Sequence, residues 1–247
     1  MTDILLINPN TTASITDLVL KTARRFASKG TSLRAVTGAF GPRYIASRVG
    51  YAIAGHAAVD ALANDRGRKD AVVLACFGDP GLAALKEIAK VPVVGMADAS
   101  ILQACALGNR FSIVTGGERW KSMLEEFVAS HGLTSRLASV RTVAPTGADI
   151  ARNPKAAMAL LAQGCSACAR EDGADVVILG GAGLAGLAAK LKSAVDVPLL
   201  DGVACALSMA EALAQQKPTK AKSGPLSLPA PVESVGLSPA LTKLLGP

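Results

Sequence analysis

At 247 residues the chain is long enough for one full core or for two halves of about 100 residues each. Half of its residues are hydrophobic but only 3% are aromatic, so Ala, Val, Leu and Gly build the interior; that excludes disorder and suits helices packed tightly on sheets. The net charge of +7 is partly concentrated in a tail with Lys217, Lys220, Lys222 and Lys243 against Glu233; no basic helix with interleaved aromatics argues for nucleic acid, and no apolar run approaches the ~18 residues of a membrane span.

Ile4–Asn8 is a short apolar run that predicts a buried strand. Asn10, Thr11 and Thr12 offer N-caps for a helix running to about Ala27. Ser32–Thr37 is the next strand and Ala-rich Val49–Asn64 the next helix. Ala71–Ala75, Gly81–Ala89, Val91–Gly95 and Ala97–Leu107 then read as strand, helix, strand and helix. The second half follows suit: strand 111–115, helix 119–131, strand 138–143, helix 154–171, strand 175–179, helix 183–194, strand 197–200 and helix 202–215. Apolar strands alternating with amphipathic helices predict an α/β fold with parallel sheets covered on both faces. Each half should carry a four-stranded sheet. After Gln216, Pro218, Pro225, Pro229 and Pro231 indicate an extended tail, with a short closing helix at Leu237–Leu245.

The two halves are copies. Asp70-Ala-Val-Val-Leu-Ala-Cys76-Phe-Gly-Asp-Pro-Gly-Leu82 aligns with Asp175-Val-Val-Ile-Leu-Gly-Gly181-Ala-Gly-Leu-Ala-Gly-Leu187 at a shift of 105 residues. Ile4–Asn10 aligns with Phe111–Gly117 and Leu33–Val36 with Val140–Val143, both at 107, and Val91–Gly95 aligns with Val197–Asp201 at 106. A period this long means a duplicated half-domain rather than a solenoid. The expected division is a first lobe of residues 1–97 plus 204–247 and a second lobe of 98–203, pseudo-symmetric about an interlobe cleft.

Five cysteines, an odd number, with no charged region ahead of the first strand, predict reduced thiols, no signal peptide and a cytoplasmic setting. Cys165-Ser-Ala-Cys168 has metal-knuckle spacing but no second pair, and the only histidines, His56 and His131, lie far off in sequence. These two cysteines, with Cys105 and Cys205, read as helix-buried residues. No metal is expected.

Parallel sheets bind ligands at the carboxyl ends of their strands. Four loops therefore converge on the cleft: Asn8–Thr12, Cys76–Gly81, Thr115–Glu118 and Gly180–Gly183. Cys76 lies on one wall and Gly181, its partner in the repeat, on the other. A thiolate can remove an acidic Cα proton, and amides at a helix start would lower its pKa. Charge developing on substrate oxygens needs fixed donors, for which Phe77-Gly78, Gly116-Gly117 and Ala182-Gly183 supply amides and Thr11 and Thr115 hydroxyls. Asn10 reads as both cap and ligand contact. Asp79 reads as either a helix-start acid or a site acid, and the Thr115-Gly116-Gly117 turn as either binding loop or chain reversal. The Gly41–Tyr51 loop, with Ile45, is expected to shape the side-chain pocket; Arg43 or Arg48 would favour an anionic substituent or be solvated loop charges.

With these residues the chain resembles the aspartate/glutamate racemase superfamily, and within it the hydantoin and allantoin racemases. The resemblance runs through Ile4–Thr11, Ala75–Leu82, Val114–Gly116, Ile178–Gly183, Asp201–Ala204 and the tail with Gly236-Leu237-Ser238, so it spans essentially the whole chain. It implies a two-cysteine proton transfer without metal or pyridoxal phosphate, a small substrate of hydantoin, allantoin or carboxylate type, and a homo-oligomer. Cys76 stands where the first catalytic cysteine belongs, with Asn10, Thr11, Ile45, Phe77, Gly78, Thr115, Gly116, Gly181 and Ala182 as the substrate-binding set. The second cysteine belongs at position 181, and a glycine cannot donate a proton. The readings that follow are a racemase-like enzyme of impaired or altered activity, a single-cysteine decarboxylase of the arylmalonate type, a maleate-isomerase-like enzyme, and a non-catalytic binding homologue.

Overall fold

The computed structural model describes residues 1–143 and 154–246. The first half runs β1 (Thr2–Asn8), α1 (Ala13–Phe26), β2 (Thr31–Thr37), α2 (Arg48–Asn64), β3 (Ala71–Leu74), α3 (Leu82–Ile88), β4 (Val93–Gly95) and α4 (Met96–Leu107). The second runs β5 (Phe111–Gly116), α5 (Trp120–Ser130), β6 (Leu137–Val143), α6 (Pro154–Arg170), β7 (Val176–Leu179), α7 (Ala188–Leu191), β8 (Leu199–Asp201) and α8 (Gly202–Gln216). A tail closes with α9 (Pro239–Leu245). Each half forms a four-stranded parallel sheet, ordered β2-β1-β3-β4 and β6-β5-β7-β8. The fold is therefore the predicted α/β class, with helices on both sheets.

Strand alternation sorts the core. Ile4, Leu6 and Val73 face inward and join Phe111, Ile113, Val176 and Ile178 of the other sheet in one shared cluster. Leu5, Ile7, Val72 and Leu74 face outward beneath α2 and α3, while Val114, Val177 and Leu179 do the same beneath α6 and α7. Between the sheets lie α4 and α8, which are exchanged. Helix α4 leaves the first sheet and packs on β5, β7 and β8, and α8 leaves the second and packs on β1, β3 and β4. The two helices also pack against each other through small residues such as Ala97, Ala104, Ala206 and Ala210, and Gln103 Nε2 donates to the Cys205 carbonyl at 2.8 Å.

One element differs from expectation. The stretch read as a helix over 183–194 breaks into a 3₁₀ turn at Ala182–Leu184, the single turn of α7, and a second 3₁₀ turn at Lys192–Ala194. Gly186 causes the break: its φ of +80° lies outside helical space, and its N–H donates to Asp201 Oδ2 at 2.6 Å.

Candidate active site

The first wall starts where β3 ends. Ala75 N–H still bonds to the Ile7 carbonyl at 2.8 Å, and the chain then turns at Cys76, whose carbonyl accepts from Asp79 N–H at 3.1 Å. Cys76 is buried, and its sulfur makes only a long contact, 4.0 Å, to the Phe77 carbonyl. Burial pushes the thiol well above its ordinary range, and the neighbouring Asp79 charge raises it further. This reverses the expected lowering by helix-start amides, because those amides are engaged elsewhere. Leu82 N–H, at the start of α3, bonds to the Asp79 carbonyl at 3.1 Å. The N–H groups of Ala97 and Asp98, at the start of α4, donate to the Asp79 carboxylate at 3.1 and 2.7 Å.

Asp79 is thus a helix-start acid, but for the exchanged helix α4 rather than for adjacent α3. Burial raises its pKa to about 7, against the pull of the amide donors. Gly95 makes room for it, since a side chain there would overlap the carboxylate. In the second half the repeat register puts Asp201 opposite Gly95, and Asp201 caps α8 directly through Val203 and Ala204 N–H at 3.0 and 3.2 Å. Each exchanged helix therefore receives a carboxylate at its positive end, supplied from different chain positions.

Asn10 lies in a buried polar cluster. Its Oδ1 accepts from Asn8 Nδ2 at 3.0 Å and from Thr12 N–H at 2.9 Å, and Asn8 Nδ2 also bonds to Thr16 Oγ1 at 3.0 Å. The N-cap position of α1 belongs to Thr12, whose side chain makes no cap bond, so Asn10 orders the loop rather than capping the helix. Thr11 N–H and Thr12 Oγ1 then reach the carbonyls of Pro42 and Arg43, at 3.2 and 2.7 Å.

That second loop spans the cleft. Trp120 Nε1, at the start of α5, donates to the Ile45 carbonyl at 2.9 Å, and the Tyr44 hydroxyl donates to the Gly116 carbonyl at 3.4 Å. The Tyr51 hydroxyl donates to the Gly78 carbonyl at 2.7 Å. Burial, then the charges of Asp79 and Cys76, pushes Tyr51 up to about 12; burial, then Cys76, raises Tyr44. The single Trp and both Tyr residues of an aromatic-poor chain thus converge on Cys76 and its turn. The sequence reading includes Tyr44 and Tyr51 in the pocket-shaping loop without singling either out, and it misses Trp120; their scarcity was the available signal. Arg48 instead forms a surface ion pair with Glu126, which leaves it a solvated charge, and Arg43 is exposed.

On the second wall, Gly180 N–H bonds to the Val114 carbonyl at 2.8 Å and holds the β7 turn beside Thr115 and Gly116. The Phe77 ring lies against Gly180 and Gly202, so the ends of β3 and β7 meet there. Gly181 has φ +128° and ψ 128°, a conformation that side-chain-bearing residues rarely adopt. A Cβ built on it would meet only ordinary contacts, Leu184 at 3.6 Å and Thr115 Oγ1 at 3.7 Å. The structure therefore brings together Cys76, Phe77, Gly78, Ile45 and Gly116 through the aromatic loop contacts, and Thr115 with Gly181 and Ala182 on the far wall. Asn10 and Thr11 join through the Pro42–Arg43 carbonyls. Among the described residues no group of three His, Cys, Asp or Glu side chains is placed to hold a metal ion, and no helix is long and apolar enough to cross a membrane.

Comparison with known proteins identifies the family and the fold. The Asp/Glu/Hydantoin racemase family model matches residues 4–210. Hydantoin racemase of Pseudomonas sp. (strain NS671) is 35% identical over 93% of this chain and 93% of its own. Hydantoin racemase of Paenarthrobacter aurescens is 36% identical over 85% of this chain and 90% of its own. The crystal structure of allantoin racemase from Pseudomonas fluorescens superposes with a TM-score of 0.91 at 33% identity, covering 95% of this chain and 100% of that one. These homologues are isomerases, and the chain is a member of the Asp/Glu/hydantoin racemase family.

Proposed function

We propose that this protein is a hydantoin-racemase-like enzyme that moves a proton at an activated Cα, with Cys76 as the acid/base on one wall and no thiol on the other. The observation that carries this reading is the Phe77–Gly180 contact, which apposes the Cys76 turn and the Gly181 turn at the carboxyl ends of two pseudo-equivalent strands. The lobes, 1–97 with 204–247 and 98–203, supply one wall each. The expected substrate is a small, rigid hydantoin ring held near Tyr44, Tyr51 and Trp120, and its ring carbonyls take up the charge left when the Cα–H bond breaks. Binding must shift the Cys76 thiol towards thiolate, because burial holds it protonated in the unliganded site. With glycine at 181, exchange on the Cys76 face outpaces inversion.

The test is proton NMR in D2O with each enantiomer of a 5-substituted hydantoin and of allantoin, beside Cys76→Ala. Deuterium uptake that requires Cys76 supports the reading; equal uptake in Cys76→Ala refutes it. A second reading, decarboxylation of a disubstituted malonate, draws on the side-chain-free wall at Gly180 and Gly181, and CO2 release from malonates without hydantoin exchange would favour it.

A further inference from the structure

We infer that Thr115 is the proton donor of the second wall, the group that allows inversion in a chain without a second thiol. The inference rests on the Cys76 proton-transfer reading above. Cys105, Cys165 and Cys168 lie within α4 and α6, and Cys205, in the first turn of α8 just past β8, is buried in the core between the sheets, so none of them is at the end of β7 where a residue at 181 would stand. Thr115 does lie beside that place. Its Oγ1 is 3.7 Å from the point where the Cβ of a residue at 181 would sit, and it is the polar one of the three heavy atoms nearest that point, the other two being Leu184 carbons. The residue is 4% exposed, and its hydroxyl has no hydrogen-bond partner among the described residues. A hydroxyl that no described protein group engages, on a residue that is buried but whose oxygen is not itself sealed off, can donate to a ligand.

The sequence context hides this role. Thr115 ends β5 and is 66 residues away from Gly181 along the chain, so inspection of the Leu179–Leu187 segment finds no substitute acid. Pairing of β5 with β7 places Val114 opposite Leu179, and the two strands deliver Thr115 and the Gly180-Gly181 turn side by side. The amides of Ala182 and Gly183 donate to nothing among the described residues and complete a donor set beside the hydroxyl.

The proton balance is as follows. The Cys76 thiolate takes the substrate proton: the Cα–H bond breaks, an S–H bond forms, and the electron pair spreads onto the ring carbonyl oxygen. On the opposite face the Thr115 O–H bond breaks as a new C–H bond forms, and the electron pair returns from the oxygen to Cα. Solvent then reprotonates the threonine alkoxide and accepts the proton from Cys76. An alcohol is a far weaker acid than a thiol, so the second transfer limits inversion while exchange on the Cys76 face proceeds.

The experiment measures, for one hydantoin enantiomer in D2O, both deuterium uptake by NMR and inversion by circular dichroism, and compares their ratio in wild type, Thr115→Val, Thr115→Ser, Thr115→Cys and Cys76→Ala. The ratio removes any effect on substrate affinity. We expect inversion per exchange to fall at least tenfold in Thr115→Val, to persist in Thr115→Ser, and to rise in Thr115→Cys, where a stronger acid takes the position. Thr115→Ser and Thr115→Cys keep the test decisive if Thr115→Val fails to fold. An unchanged ratio in Thr115→Val, or in Thr115→Cys when Thr115→Val does not fold, or wild-type exchange with no inversion, overturns the inference while leaving the Cys76 reading intact. Exchange that survives in Cys76→Ala, or no enzyme-dependent exchange at all, overturns the Cys76 reading and the inference with it.

Discussion

Replacing Gly181 by Cys sets a gain in chemistry against a loss in stability. The new Cβ meets nothing closer than Leu184 at 3.6 Å and Thr115 Oγ1 at 3.7 Å, so packing contributes no penalty. The penalty is in the backbone: φ +128° is a glycine conformation, and holding a side-chain-bearing residue there costs about 1–3 kcal/mol. For a chain of this size each kcal/mol lowers the melting temperature by roughly 2–4 °C. Gly181→Cys should therefore melt about 2–12 °C below wild type by circular dichroism. The same variant carries a thiol on the second wall and should convert slow inversion into racemisation of a 5-substituted hydantoin, by about 10²-fold or more in kcat/KM. Gly181→Ala is the control, with the same melting loss and no gain. The reasoning fails if Gly181→Cys melts with wild type, which would mean the turn relaxes freely, or if it gains no inversion, which would mean position 181 does not face the reacting carbon.

Asp79 makes stability fall with pH. Its folded pKa of about 7 lies above the ordinary aspartate value of 3.8, so the folded state binds the extra proton between those values and stability declines as pH rises through that window, by on the order of 4 kcal/mol. Urea midpoints between pH 4 and 8 should show this slope in wild type and lose it in Asp79→Asn. The same substitution removes a negative charge beside Cys76 and should lower the pH midpoint of Cys76 alkylation by iodoacetamide, measured by mass spectrometry, relative to wild type. Trp120→Ala breaks the indole tie to the Ile45 carbonyl and should raise KM for any hydantoin substrate several-fold, with the loop residues gaining protease sensitivity. Leu207→Ala in the buried α4–α8 seam should cost about 2–5 kcal/mol in urea unfolding.

Much of the architecture was legible because its signals are local. Strand runs such as Ile4–Asn8 and the internal repeat specify two parallel sheets, and the repeat register pairs Cys76 with Gly181 without any structure. The failures involve groups that are distant in sequence. Asp79 precedes α3 and reads as its cap, yet its carboxylate is used by α4, because the turn at Asp79 carries φ +56° and directs the side chain across the sheet. The thiol pKa ran opposite to expectation for the same reason, since amides assumed free are already bonded. Tyr44 and Tyr51 entered only as members of the Gly41–Tyr51 loop, and Trp120 escaped notice, because a loop position and the first turns of α2 and α5 carry no periodicity that reports them. The helix expected over 183–194 was lost to a bond from Gly186 to Asp201, 15 residues away.

The exchange of α4 and α8 ties the two copies together like links of a chain. Each sheet is roofed by the helix that the other half's last strand leads into, so neither half, cut out alone, has its own inner cover. Unfolding should accordingly be a single event for both. A frame secured in this way tolerates chemically different turns: one carries a thiol and the other a glycine, on matching four-stranded sheets.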